Sequence, residues 1–256
     1  KYPLKLLCTV DEEGTMRGAE RAVLSGRVSK DDWVLDMEPT GGQIQMAHKG
    51  RLWLQVDAQG VTAHASRTED GADAIAAMGE LISCVRGEFA RMPEHKELGR
   101  PTVTFGQIAG GYQPYVVPDR CRLWMDLRLV PPLDDKKALL IVEEGMKKAE
   151  EAVPGVEFQY KITGNRPCIE KNDASLLLAG LRKACKKSLG EEPEVGPFPG
   201  YTDTAVIAGM LGNGNCMSYG PGDLKMAHKP DEYVKIEDID RCVLVLMSLV
   251  EEMNSL

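Results

Sequence analysis

Two acidic stretches, two loop histidines and one strand-end arginine are the residues of this sequence best suited to do chemistry. Asp11-Glu12-Glu13-Gly14 places three carboxylates side by side. Their mutual repulsion is relieved by a bound cation, or simply by solvent. Asp36-Met37-Glu38-Pro39-Thr40 holds a second acidic pair. His228 follows the turn Gly220-Pro221-Gly222 and precedes Asp231-Glu232. Imidazole with carboxylates is a normal first shell for catalytic zinc. His64 stands alone in Gly60-Val61-Thr62-Ala63-His64-Ala65-Ser66. Arg128 lies two residues after Asp126. Its guanidinium could clamp a ligand carboxylate through two parallel hydrogen bonds, or pair with Asp126 on one strand face. Each signal has a plain alternative when taken singly: a solvated acidic loop, an exposed or turn histidine, a surface ion pair.

The elements that must position these residues are read from periodicity. Residues 4–10 and 32–38 read as strands, with a short helix over 18–24 between them. That is a βαβ-like opening and implies a parallel sheet. Both acidic stretches would then fall at strand ends on one sheet edge, where open α/β sheets bind ligands. Residues 51–58 alternate like a half-buried strand. Ala74, Ile75, Met78, Leu81, Ile82 and Val85 follow helical period within 70–92, and Pro93 ends that run. Strands are expected near 102–108 and 120–129, a helix capped by Asp134 or Asp135 runs to about Ala152, and a strand covers 156–162. That order, β-α-β-β-α-β, is the ferredoxin-like unit, complete in itself. It predicts a lid or insert over 49–163 within an α/β domain made of 1–48 and 164–256. The remainder reads as helices over 173–189 and 206–211, a strand at 215–219, and a helix over 236–256 with core positions Ile239, Val243, Leu246, Val250 and Met253.

Composition sets the limits. The 256 residues are 43% hydrophobic and 27% charged, with net charge -8. Those are globular proportions, and the acidity argues against nucleic acid as a partner. No apolar run is long enough to predict a membrane span. Seven widely spaced cysteines, without a CxxC, predict neither a disulfide framework nor a cysteine zinc site, and fit a reducing cytoplasm. No GxSxG elbow is present, so a serine hydrolase is a poor reading.

The ordered series Asp11–Gly14, Met37–Thr40, Gly60–Ser66, Met125–Pro131, Gly200–Thr204 and Gly220–Glu232 resembles one family along essentially the whole chain. It is the family of dinuclear zinc metallopeptidases that holds acetylornithine deacetylase, succinyl-diaminopimelate desuccinylase, aminoacylase and glutamate carboxypeptidase. The resemblance implies an α/β catalytic domain with an inserted ferredoxin-like lid that also forms a homodimer. It implies two zinc ions, with cobalt or manganese as alternatives, and hydrolysis of an amide bond in an N-acyl amino acid or small peptide. By position it makes Glu12 the general base, Glu13 and His228 ligands of one metal, and Glu38 a ligand of the other. His64 becomes the lid histidine that stabilises the oxyanion across the dimer. Arg128 grips the substrate carboxylate, with Tyr115, Gly200 and Thr202 as further substrate contacts.

Three departures qualify that pattern. The family's first-metal His and bridging Asp precede the DEEG stretch, and these 256 residues hold no counterpart of either. The chain by itself is therefore expected to bind metal poorly and to be inactive. Tyr115 stands where the family often has Asn. Tyr201 sits inside the stretch that is Gly-Gly-Thr-Asp in the family. The alternative reading is a non-catalytic dimerising module of the same fold. Retention of Glu12, Glu13, Glu38, His64 and His228 together argues for the enzyme.

Overall fold

A computed structural model describes residues 3–253. In chain order the elements are α1 (Arg17–Leu24), β1 (Val34–Asp36), β2 (Ile44–His48), β3 (Gly50–Gln59), α2 (Ala74–Arg91), β4 (Thr102–Gly110), β5 (Arg120–Leu129), α3 (Asp135–Ala152), β6 (Glu157–Arg166), α4 (Leu176–Leu189), β7 (Val195–Phe198), α5 (Asp203–Leu211), β8 (Cys216–Ser218) and α6 (Ile236–Met253). They fall into two compact units, one of residues 1–48 and 169–256, the other of 49–168. The class is α/β, with one sheet in each unit.

The 49–168 unit is an antiparallel sheet in the order β4-β5-β3-β6 with two helices, the ferredoxin-like arrangement. The period-two pattern read at 51–58 decides which face is buried. Leu52, Leu54 and Val56 of β3 and Leu123, Met125 and Leu127 of β5 turn to one side. Met78, Leu81 and Val85 of α2 and Ala138, Val142 and Ala149 of α3 close over them. Gly145 lets the helices approach: a Cβ there would lie 3.0 Å from the Leu81 side chain. Asp73 starts α2 by accepting from the N–H groups of Ile75 and Ala76, and Asp134 starts α3 by accepting from Lys137.

The other unit has a mixed sheet in the order β1-β8-β2-β7. Pairs β1–β8 and β2–β7 are parallel, while β2 meets β8 antiparallel at Gln45 and Ser218. Alternation along β8 sends Met217 into an apolar cluster with α4 and α6, and Cys216 into one with α1 and α5. The sheet thus lies between two helical layers.

Three expectations need correction or completion. Residues 4–10 form no strand, and Leu4 and Leu6 are 83% and 92% exposed. An apolar run becomes a strand only where a ladder accepts it, and among the described residues none pairs with this one. The strands at Ile44–His48 and Val195–Phe198 had no counterpart in the periodicity reading. The first is short and hemmed by glycines, and the second contains Pro197, tolerated because β7 is at the sheet edge. The C-terminal helix is seen to Met253; residues 254–256, which the reading also made helical, lie outside the described residues.

Candidate metal centre

The acidic stretch at 11–14 folds as a tight turn around Asp11. Its carbonyl accepts from Gly14 at 3.3 Å and Met16 at 2.7 Å, and its carboxylate accepts from the Thr15 hydroxyl at 2.5 Å. Asp11 itself has φ 64°, a left-handed conformation that costs a non-glycine residue free energy. Glu12 and Glu13 ride at the tip of this turn, just before α1.

Glu38 follows β1 directly. Its loop is zipped to the glycine turn that leads to His228. Thr40 Oγ1 accepts from Gly220 N at 3.1 Å, and Gly41 N donates to Gly222 O at 2.7 Å. A Cβ on Gly220 would lie 2.5 Å from the Glu38 carbonyl oxygen, so only glycine permits this approach. His228 has φ 60°, and its N–H donates to Glu232 at 3.2 Å. Its Nε2 lies 3.5 Å from Glu13 Oε2, with both side chains largely exposed.

Electrostatics show how close these groups come. Burial, then the charges of Glu13, Asp203 and Asp36, pushes the Glu12 carboxyl up to about 7, and His228 acts in the opposite sense. Burial, then Asp36, Glu12, Glu13 and Asp203, pushes Glu38 up to about 8. Burial also raises Asp36 and Asp203. These two aspartates were not singled out in the sequence. Asp36 was visible two residues before Glu38, and Asp203 as the Asp of the Gly200–Thr204 stretch, but neither burial nor convergence could be read there. Each has one buried carboxylate oxygen, Oδ1, without a hydrogen-bond partner. The other oxygen of Asp36 accepts from Thr204 N at 3.2 Å, and Asp203 accepts from Thr9.

The donor chemistry fits a divalent cation. Neighbouring carboxylates raise Glu12 and Glu38, and the buried Oδ1 atoms of Asp36 and Asp203 stand without donors, which is costly for anions left to themselves. The set is nonetheless loose: among the described residues no three His, Cys, Asp or Glu side chains converge tightly enough to hold a metal ion.

Gly200 and Thr202, expected as substrate contacts, lie in this same unit. Thr202 is fully buried; its hydroxyl bonds Thr204 at 2.7 Å and caps α5 through Ala205 N at 3.3 Å. Gly200 bonds through its backbone to His48. His48, a buried histidine without a motif, packs against the rings of Phe198 and Tyr201, and burial drives its pKa down to about 4.

His64, Tyr115 and Arg128 belong to the 49–168 unit. The loops carrying the first two are paired: Ala65 N donates to Tyr115 O at 3.0 Å and Val117 N to Ala63 O at 2.8 Å. The structure therefore presents an exposed imidazole and an exposed phenol from one loop pair. His64 Nδ1 bonds Ser66 Oγ at 2.8 Å. Arg128 takes its local alternative, bonding Asp126 through Nε at 3.1 Å and a terminal nitrogen at 2.9 Å. The Oδ1 of that Asp126 is buried without a hydrogen bond.

Comparison with known proteins adds an independent line. Residues 46–153 match the peptidase dimerisation domain family. Acetylornithine deacetylase of Myxococcus xanthus is 26% identical over 98% of this chain and 65% of its own length. The Buchnera aphidicola enzyme of the same name is 25% identical, with the same coverage. The chain thus spans about 65% of the length of these relatives. An aminopeptidase from Bacillus cereus superposes with TM-score 0.75 at 20% identity, over 96% of this chain and 63% of that one. A tripeptidase from Staphylococcus aureus gives 0.76 at 20% identity, over 95% and 62%.

Proposed function

We propose, for a chain that belongs with the acetylornithine deacetylases and metallopeptidases and carries their dimerisation domain, that the whole protein is a zinc-dependent amidohydrolase. Its substrates are N-acyl amino acids or small peptides, and it works as a cytoplasmic homodimer joined through the 49–163 lid. The observation that carries this reading is the grouping of Glu13, Asp36 and Asp203 around Glu12 and Glu38, with the buried Oδ1 atoms of Asp36 and Asp203 orphaned.

Glu13 and His228 would hold one metal ion and Glu38 the other. When bound, the ions supply Lewis acidity toward the amide carbonyl and lower the pKa of attacking water. Glu12 would serve as the general base, taking a proton from the attacking water and passing it to the leaving amine. His64 donates to the developing oxyanion from the partner lid. Arg128 exchanges its Asp126 bond for the substrate carboxylate, a like-for-like swap of charge-assisted bonds. Tyr115 beside His64 contacts the acyl portion, and Gly200 contributes its backbone. Thr202, being buried, holds the start of α5.

These 256 residues supply only part of the ligand set that the family uses, so the isolated chain should bind zinc weakly and turn over no substrate. The test measures zinc retained after equilibration and removal of loosely held metal, together with release of amino acid from N-acetyl substrates. Near-zero zinc and no turnover are expected for the isolated chain. Both should return in a polypeptide that also supplies a His and an Asp ahead of residue 11. Turnover by the isolated chain would sink the inactivity claim, and failure of the longer polypeptide would sink the enzyme.

One observation favours the second reading, a non-catalytic dimerising module: the loose convergence of the candidate ligands. That reading predicts dimers by light scattering and no zinc in either polypeptide. No helix among the described residues is long and apolar enough to cross a membrane.

A further inference from the structure

A cavity of about 260 Å³ opens in the 49–168 unit, where the chain leaves α2, enters β4 and passes from β5 into α3. Its wall is almost wholly apolar. Pro93, Pro101 and Pro132 give it stiff sides that carry no N–H. Leu133 lines it from the core, 5% exposed, and Leu140 from the surface, 56% exposed. The Leu133 N–H is already engaged, donating to Val130 O at 2.9 Å. Water in such a space finds few partners, so an apolar ligand displaces it at a gain. An apolar cavity of about 150 Å³ holds benzene, so this one has room for a ligand of roughly ten non-hydrogen atoms.

The lining includes one charged residue, Lys137, in the first turn of α3. Its Nζ donates to Pro132 O at 2.6 Å, which holds the ammonium beside the wall and uses one of its three N–H groups. The carboxylates adjacent in sequence to the lining are engaged elsewhere. Asp134 accepts from the Lys137 backbone N–H at 2.8 Å, Asp135 accepts from Asn165 at 2.7 Å, and Glu94 lies 3.7 Å from Arg100. A cation with spare donors on an apolar cleft complements an anionic head on an apolar tail.

We propose that this cavity binds a medium-chain carboxylate, its alkyl tail against the three prolines and its head on Lys137. The site is separate from the metal reading, since none of its lining residues belongs to the acidic centre or to the substrate contacts given above.

The test titrates octanoate into the folded, metal-free chain by isothermal calorimetry. Saturable one-site binding with Kd at or below about 1 mM is expected. Hexanoate should bind roughly fifteenfold more weakly, about fourfold for each CH2 withdrawn from the wall. Lys137→Met should weaken octanoate about fivefold and leave octanol unchanged. Leu140→Asp sets a carboxylate against the tail and should abolish binding. Because Leu140 is largely exposed, that variant should melt near the parent's temperature. Absence of binding to the unsubstituted chain, equal affinity for octanol and octanoate, or binding that survives Leu140→Asp would overturn the proposal. So would a dimer that octanoate splits in light scattering, since a second copy of the chain would then be the occupant.

Discussion

The two units solve the same packing problem with different margins. In the 49–168 unit, β3 is paired over its full length on both sides, from Gly50 to Gln59 against β5 and from Arg51 to Gln59 against β6. Nearly every inward position is a Leu, Val, Met or Ala buried to within a few per cent. In the other unit, β1 and β8 are three residues each, and the chain leaves them at once into loops of carboxylates, glycines and left-handed residues. The difference teaches where each unit spends its interactions. One is a scaffold whose backbone is almost wholly committed to its own ladder. The other keeps its strands short so that Glu38 and the turn after Tyr219 emerge at one edge.

The most direct way to break that comparison is a cavity in the scaffold. Leu127→Ala removes a fully buried side chain of β5, and should cost about 2–5 kcal/mol. Urea unfolding followed by Trp53 and Trp124 fluorescence measures it. A loss below that range would mean that the scaffold relaxes as readily as its neighbour.

The next effect in size belongs to the other unit and depends on pH. The His48 pKa in the fold, about 4, lies below its ordinary value. The unfolded chain therefore binds the proton first. Stability is full above about pH 6.5 and falls as pH drops toward 4, by roughly 3 kcal/mol at the low end. The raised carboxyls have the opposite sign. Glu12 and Glu38 favour the fold while protonated, so stability is lost as pH rises from the ordinary carboxyl range through about 7 and 8. Between about pH 4.5 and 6.5 the two effects oppose each other, and two carboxyls outweigh one imidazole, so melts of the metal-free chain should lose stability as pH rises from about 5 to 8. His48→Phe, which keeps a ring against Phe198 and Tyr201, should remove the opposing contribution and steepen that loss below about pH 6.5.

Third comes Gly220→Ala. The added Cβ collides with the backbone of Met37 and Glu38. It should destabilise by about 1–3 kcal/mol and displace Glu38 at the same time. A melting temperature equal to the parent's would show that the acidic edge is looser than described. The smallest effect is at a helix start. Asp73→Ala leaves the N–H groups of Ile75 and Ala76 without their acceptor and should cost about 1 kcal/mol, read in the same urea titration.

The contrast between the units also explains what the sequence made legible. The alternation Leu52, Leu54, Val56 and the caps Asp73 and Asp134 are local signals, and the ferredoxin-like order followed from them. The segment 4–10 carried the same kind of signal and forms no strand, because a strand is a property of its neighbours as much as of its residues. The strand at 195–198 was hidden by a proline that only an edge position excuses. Glu12, Glu13, Glu38 and His228 could be named from motif and order. Asp36, Asp203 and His48 could not, because what marks them is burial and convergence across more than a hundred residues, which no spacing along the chain encodes.

His228 and Asp11 both hold a left-handed backbone that their side chains do not prefer. Glycine at either place would ease the turn while deleting the group that gives it a purpose. Stability and capability are therefore set against each other residue by residue at this edge. Laboratory selection of this protein for heat resistance alone, with no demand on catalysis, would be expected to discard His228 early and leave Leu127 untouched.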